Sequence, residues 1–321
     1  MKLTVTAESF PIDGAFTISR GTRTEAQVLT VTVERDGVTG RAECVPYARY
    51  GESLDSVTAQ IEGLPAEFDR AALQGLLPAG AARNAVDCAL WDWEAKAEGR
   101  PAWQLAGLAA PEPVTTAFTL SLDSPDAMRA KAAENRHRPL LKIKLGGAGD
   151  LDRLRAVREG APGAQIIVDA NESWTPGILM RMAEELPEIG VAMIEQPLPA
   201  GEDAFLREAP KPIPLCADES CHDRASLPDL AGKYDMINIK LDKTGGLTEA
   251  LALRAAAEAA GFGIMVGCML GSSLAMAPAL LVAQGARVVD LDGPLLLARD
   301  RAHALRYEQS LVHPAERALW G

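Results

Sequence analysis

LLKIKLG (140–146), QIIVDAN (165–171), VAMIEQP (191–197), IPLCADE (213–219) and MINIKLD (236–242) follow one another at nearly constant spacing. Each is a short β-rich run, and each carries a charged residue towards its end. TTAFTLSL (115–122) precedes the series, and GIMVGCM (263–269) and VVDLDGP (288–294) complete it. Between most of them the apolar spacing turns helical, as over Asp150–Glu159, Leu179–Leu186 and Leu247–Ala260. Strands that alternate with helices form parallel βαβ units. Eight such strands in about 180 residues predict an α/β chain with a TIM-like (β/α) barrel. An open doubly wound sheet would need a glycine-rich phosphate turn after its first strand. The candidate, Leu145-Gly146-Gly147-Ala148-Gly149, follows the second strand and lacks the GxGxxG spacing.

The chain before the series reads differently. Leu29–Glu34 alternates with period two, and Gly37 and Gly40 punctuate the turn before Arg41–Val45, which predicts an antiparallel hairpin. Ala81–Ala97 has helical spacing and is ended by Gly99-Arg100-Pro101. Residues 1–112 are therefore expected to form an α+β domain and residues 113–300 the barrel. The stretch 301–321 shows no partner strand and is expected to pack back on the first domain, completing it.

Composition narrows the function. The 321 residues carry a net charge of −12 and a pI near 4.9, so no global basic field attracts a nucleic acid. No run of 18 apolar residues exists to span a membrane. The N-terminus has no apolar stretch before its first acids, which argues against a secretory signal. Five scattered cysteines form no disulfide framework, as expected of a cytoplasmic protein. Half the residues are hydrophobic (48%), enough for a large core. His222 is expected at the surface, and Trp91 and Trp93 in the packing of the first domain.

Catalytic groups of a (β/α) barrel sit at the C-terminal ends of its strands, where this chain places Lys142 and Lys144, Asp169, Glu195, Asp218, Lys240, and Asp290 and Asp292. Successive steps from Lys144 to Asp169, Glu195, Asp218 and Lys240 are 25, 26, 23 and 22 residues, one βα unit each. Ion pairing or helix capping could account for any one of the acids, but not readily for three on successive strands. Asp169, Glu195 and Asp218 offer oxygen alone, which suits Mg²⁺ better than Zn²⁺. Lys142 and Lys144 share a strand face, so one ammonium should lower the pKa of the other and let it act as a base. Lys240 stands four strands away round the barrel. A cation that stabilises an enediolate between two lysines suggests removal of an α-proton from one face and return to the other: racemisation or epimerisation.

At these residues the chain resembles the enolase superfamily, in its muconate-lactonizing subgroup, a superfamily already known to pair a Lys or His base with Mg²⁺. The likeness covers the whole chain: a capping domain, then LKIKLG, IIVDANESW, MIEQPL, CADES and NIKLDKTGG, and the terminal return. GTRTEA, PYARYGES, AARNAVDCALWD, GCMLGSS and DLDGP are similar to the L-Ala-D/L-Glu epimerases, the dipeptide epimerases of murein-peptide recycling. The resemblance implies a modified (β/α)7β barrel under a capping domain, and one Mg²⁺ per subunit held by Asp169, Glu195 and Asp218. It implies Lys144 and Lys240 as the acid/base pair. Lys142 would support Lys144 and touch the substrate carboxylate. Asp290 and Asp292, two apart on the eighth strand, would both bind the ammonium of a small dipeptide. Arg23, in the loop that closes over the barrel, would pair with the glutamate side chain, with Arg20 as a neighbouring candidate. Thr119 would hydrogen-bond the substrate and Met269 line its pocket. The rival readings are syn-dehydration as in o-succinylbenzoate synthase, cycloisomerisation of a muconate, a different dipeptide, or a non-catalytic barrel that serves as a binding or scaffold protein and has no need of Lys144 and Lys240 together. No interface signature is visible, which leaves a homo-oligomer open.

Overall fold

The computed structural model describes residues 1–321. Its N-terminal part is a three-stranded antiparallel sheet of β1 (Lys2–Ile18), β2 (Gly21–Arg35) and β3 (Val38–Cys44), in that order. The expected hairpin is its second half; β1 extends the sheet by one strand. One face lies on the long helix Ala81–Glu98, on which Ala81, Ala82, Ala85 and Ala89 are buried. Small residues on the helix let the backbones approach closely. At the tightest point stands Gly40, where a Cβ would overlap the backbone of Ala89 and Trp93. Gly99, in the left-handed conformation at φ 67°, ends the helix.

After the short β4 (Val114–Thr115) come the eight barrel strands. They are β5 (Phe118–Leu120), β6 (Leu140–Lys144), β7 (Gln165–Asp169), β8 (Val191–Glu195), β9 (Leu215–Ala217), β10 (Met236–Ile239), β11 (Gly263–Gly267) and β12 (Val288–Asp290). All neighbours are parallel and follow chain order. The ring draws shut where Ala117 N donates to Val289 O at 2.8 Å and Leu291 N to Thr116 Oγ1 at 2.8 Å.

The barrel interior is layered, and the layering positions the site. Ala117, Leu140, Ile167, Met193, Cys216, Met236, Met265 and Val288 form one buried apolar cluster, a residue from each strand or its edge. Two residues further along each run stand Thr119, Lys142, Asp169, Glu195, Asp218, Asn238, Gly267 and Asp290. Side chains two apart point the same way in a strand, so a polar layer lies directly above an apolar plug. The plug keeps water from below; the polar layer faces the mouth. Over that mouth the first domain lays Phe10, Ile12, Ala26, Val28 and Val45 against Met269 and Leu297.

The C-terminal stretch corrects one expectation. It does have partner strands: β13 (Tyr307–Glu308) and β14 (Leu311–Val312) form a hairpin, and β14 pairs with β4. Two-residue strands carry no readable period, and their partner lies almost 200 residues away. The end of the tail touches the first domain: Trp320 Nε1 donates to Cys88 O at 3.0 Å and Arg41 Nη2 to Ala318 O at 2.7 Å. No helix is long and apolar enough to cross a membrane.

Candidate active site

A cavity of about 450 Å³ occupies the barrel mouth beneath the first domain, and Arg20, Arg23, Thr119, Lys142, Lys144, Asp218, Lys240, Met269, Asp290 and Asp292 line it. Asp169 and Glu195 lie at its floor, fully buried, and their oxygens and one of Asp218 come within 4.8 Å of one another. Three carboxylates so close and so dry repel one another. Burial first, and then the neighbouring Asp169, push Glu195 up to about 7. A divalent cation fits such a donor set: it is all oxygen, it carries surplus negative charge, and it opens to a cavity with room for further ligands.

Lysines surround the cluster. Lys144 Nζ lies 2.6 Å from Asp169 Oδ2, and Lys240 Nζ lies 2.6 Å from Asp218 Oδ2, on the far wall. Lys142 Nζ reaches three acids: Glu195 Oε2 at 2.7 Å, Asp290 Oδ2 at 2.7 Å and Asp169 Oδ2 at 3.2 Å. The contact to Glu195 lacks the alignment of a hydrogen bond, and Oε2 accepts none. Burial alone would lower the Lys142 pKa; Asp290, Glu195 and Asp169 outweigh it and hold the ammonium well above its usual range. Spacing alone cast Lys142 as a like charge beside Lys144. In the structure its charge is taken up by carboxylates, because barrel closure brings Asp290 to it from 148 residues away.

The acidic pair also differs from expectation. Asp290 ends β12, but Asp292 lies beyond it, at the start of the 3-10 turn Gly293–Leu296. Neither waits unpaired. Asp290 is bound to Lys142, and Asp292 Oδ2 accepts from Thr119 N at 2.6 Å. Burial, then Asp290, push Asp292 up to about 7. Asp290 Oδ1 is buried without a partner.

Two arginines sit on or beside the β1–β2 tip and differ in commitment. Arg20 donates to Glu219 Oε1 at 2.8 Å, to Glu172 Oε2 at 3.2 Å and to Asn171 O at 3.1 Å, which ties the tip to the barrel. Arg23 pairs with no carboxylate; its guanidinium stands 5.5 Å from the centre of the Tyr47 ring. Met269 serves both the cavity wall and the contact between domains. His222 is not a plain surface residue: it is half-buried, edge-on to Tyr50 at 4.6 Å, a contact made by the first domain. Trp91 and Trp93 pack as expected, Trp91 beneath the Arg70 guanidinium at 3.6 Å.

Sequence reasoning missed two supporting groups. Lys243 is fully buried and donates to Asp218 O and Oδ1, both at 2.6 Å, and to Asn238 O at 2.9 Å. Asn238 Nδ2 donates to Glu195 Oε1 at 2.7 Å. Asn238 was legible as the inward residue two before Lys240. Lys243 was not, since a lysine three residues on reads as a solvated helix face.

Residues 1–107 match the mandelate racemase / muconate lactonizing enzyme N-terminal domain, and residues 127–310 match the enolase C-terminal domain-like family. The chain belongs to this family of two-domain, enolase-like proteins. Among its relatives, the L-Ala-D/L-Glu epimerase of Escherichia coli (strain K12) is 47% identical over 312 residues, 95% of this chain and 97% of the relative. The N-acetyl-D-glutamate racemase of a Pseudoalteromonas species is 49% identical over 290 residues, 88% of this chain and 91% of the relative. An Agrobacterium tumefaciens enolase family member with homology to dipeptide epimerases, solved with sodium and L-Ala-L-Glu, superposes with a TM-score of 0.97 at 56% identity over 99% of each chain.

Proposed function

We propose that this chain is a dipeptide epimerase that inverts the glutamate α-carbon of L-Ala-D/L-Glu, using Lys144 and Lys240 as its two bases. One observation carries the reading: the two ammonium groups stand on opposite walls of the barrel, each 2.6 Å from a different carboxylate of one cluster. A substrate carbon between them presents one face to each. The lysine on one side takes the α-proton, the other delivers a proton to the opposite face, and the roles exchange in the reverse direction. Asp169, Glu195 and Asp218 would hold the cation, which we assign as Mg²⁺ from the oxygen-only donor set. When bound, it supplies Lewis-acid stabilisation of the charge that builds on the substrate carboxylate. Arg23 offers its unpaired guanidinium to the glutamate side chain. Asp290 and Asp292 face the amino end, where they orient the substrate. The first domain closes the mouth and excludes water.

Proton NMR of L-Ala-L-Glu with protein and Mg²⁺ in D₂O tests this. Loss of the glutamate α-proton signal with growth of the L,D diastereomer is expected. An unchanged α-proton would overturn the assigned substrate.

A second reading is racemisation of N-acylglutamates. It is favoured by each acid of the pair already having one partner, Lys142 for Asp290 and Thr119 for Asp292, so that a neutral amide end leaves neither carboxylate wholly unpaired. The N-acetyl-D-glutamate racemase relative lends it support. N-acetyl-L-glutamate in the same assay decides between the two. Replacing Asp292 by Asn, which leaves Lys142 paired with Asp290, should slow exchange of the dipeptide while sparing the N-acyl substrate.

A further inference from the structure

Two motifs from different domains, AARNAVDCALWD (81–92) and KLDKTGGLT (240–248), lie against each other, and nothing in the two-base chemistry itself uses that contact. Lys240 is the last residue before the one-turn helix Leu241–Thr244 and stands just beyond the end of β10. The turn it opens is held from above by the long helix of the first domain. Asn84 Nδ2 donates to Asp242 Oδ1 at 2.8 Å, and Val45 N donates to the same oxygen at 3.1 Å. Arg83 Nη2 donates to Thr244 O at 2.8 Å and its Nε to Gly245 O at 3.2 Å. Asp87 accepts from Thr248 N at 2.9 Å and from Thr248 Oγ1 at 2.6 Å. Asn84, Asp87 and Asp242 are all buried. The two glycines are required by this contact: a Cβ at Gly245 would overlap Arg83, and one at Gly246 would overlap Asp87. Lys144 is placed otherwise. It belongs to β6 itself, in register with Asp169 of β7, so the sheet fixes its backbone; the first domain approaches its side chain instead, with the centre of the Phe16 ring 5.9 Å from Nζ.

We infer that Asn84 and Asp242 are positioning residues for Lys240, so that the first domain sets the backbone geometry of one base while a barrel strand sets that of the other. This rests on the two-base reading. It predicts an asymmetry that loss of stability alone would not produce. In the D₂O assay, Lys240→Ala identifies the epimer whose α-proton Lys240 removes. Asn84→Ala is expected to slow exchange of that same epimer by ~10- to 100-fold, the cost of misplacing a reacting group by about an ångström, and to leave the other epimer within ~3-fold. Asp242→Ala, which removes the same bond from the other side, serves if Asn84→Ala is not recovered folded. Asp242→Asn keeps the acceptor oxygen and is expected to exchange both epimers at parental rates. Equal slowing of both epimers by Asn84→Ala, or no slowing, would overturn the inference. If the parent protein exchanges neither epimer, the substrate reading is what fails. A crystal structure of Asn84→Ala then decides: a displaced 240–246 turn over an unmoved β6 upholds the clamp, and an unmoved turn refutes it.

Discussion

Arg23 and Arg20 show how two similar side chains, three residues apart, come to do different work. Arg20 spends its donors on Glu219, Glu172 and Asn171, whereas Arg23 pairs with no carboxylate and stands over the Tyr47 ring. Hydrogen bonds to charged groups contribute about 1.5–3 kcal/mol, or ~10- to 150-fold in binding. Arg23→Met should therefore raise KM for L-Ala-L-Glu by about that factor and leave a dipeptide with a neutral second side chain nearly unchanged. Arg20→Met should instead raise KM for both, because it frees the hairpin tip. Steady-state kinetics with the two substrates separates these outcomes. The sequence marks both arginines as candidates near one turn. It cannot say which is already engaged, since the carboxylates that engage Arg20 come from strand ends some 150 to 200 residues on.

The strands carry the most legible part of the site. Their inward residues alternate with period two, so an apolar plug residue and the polar residue two places on can be read together, as in Ile167 and Asp169 or Met193 and Glu195. Asp169, Glu195 and Lys142 are readable for that reason, and so is Asp290. Short irregular pieces are not. β13 and β14 are too brief to show a period, and Asp292 sits in a 3-10 turn where alternation has lapsed. Contact between sheet and helix also tests the packing. Gly40→Ala keeps an ordinary strand conformation but drives a methyl group into the helix backbone at Ala89 and Trp93. It should destabilise the fold by about 1–3 kcal/mol, measured as a lower urea midpoint with an unchanged slope.

The molecule as a whole is joined at buried charges. Glu43 of β3 accepts from Ser272 N at 2.7 Å, from Ser272 Oγ, and from Arg301 Nη2 at 2.7 Å, so one carboxylate ties the first domain, a barrel loop and the tail together. Arg301→Met strands that carboxylate and should cost about 3–5 kcal/mol, seen as a large fall in melting temperature. Asp87 and Asp242 lie at the same junction, where burial pushes them up to about 6 and about 7. A carboxyl whose pKa is higher folded than its unfolded value near ~4 takes up a proton on folding between the two. The stability so gained is present at low pH and lost as pH rises through the folded value. The metal-free protein should thus melt at a lower temperature near pH ~8 than near pH ~6, and Asp242→Asn, a neutral mimic, should reduce that difference, the rest coming from Glu195 and Asp292, which burial also pushes up to about 7. None of these junctions is visible along the chain, although the elements they join are. Strand and helix periods, the βα spacing, and the order of lysines and acids at strand ends are local patterns, and a barrel of parallel strands follows from them with its charged end already marked. Which carboxylate neutralises Lys142, which arginine stays free, and which helix holds Lys240 depend on side chains far apart in sequence. Those pairings arise only when the sheet closes and the first domain settles over it, because burial and proximity, rather than residue type, decide which charges meet.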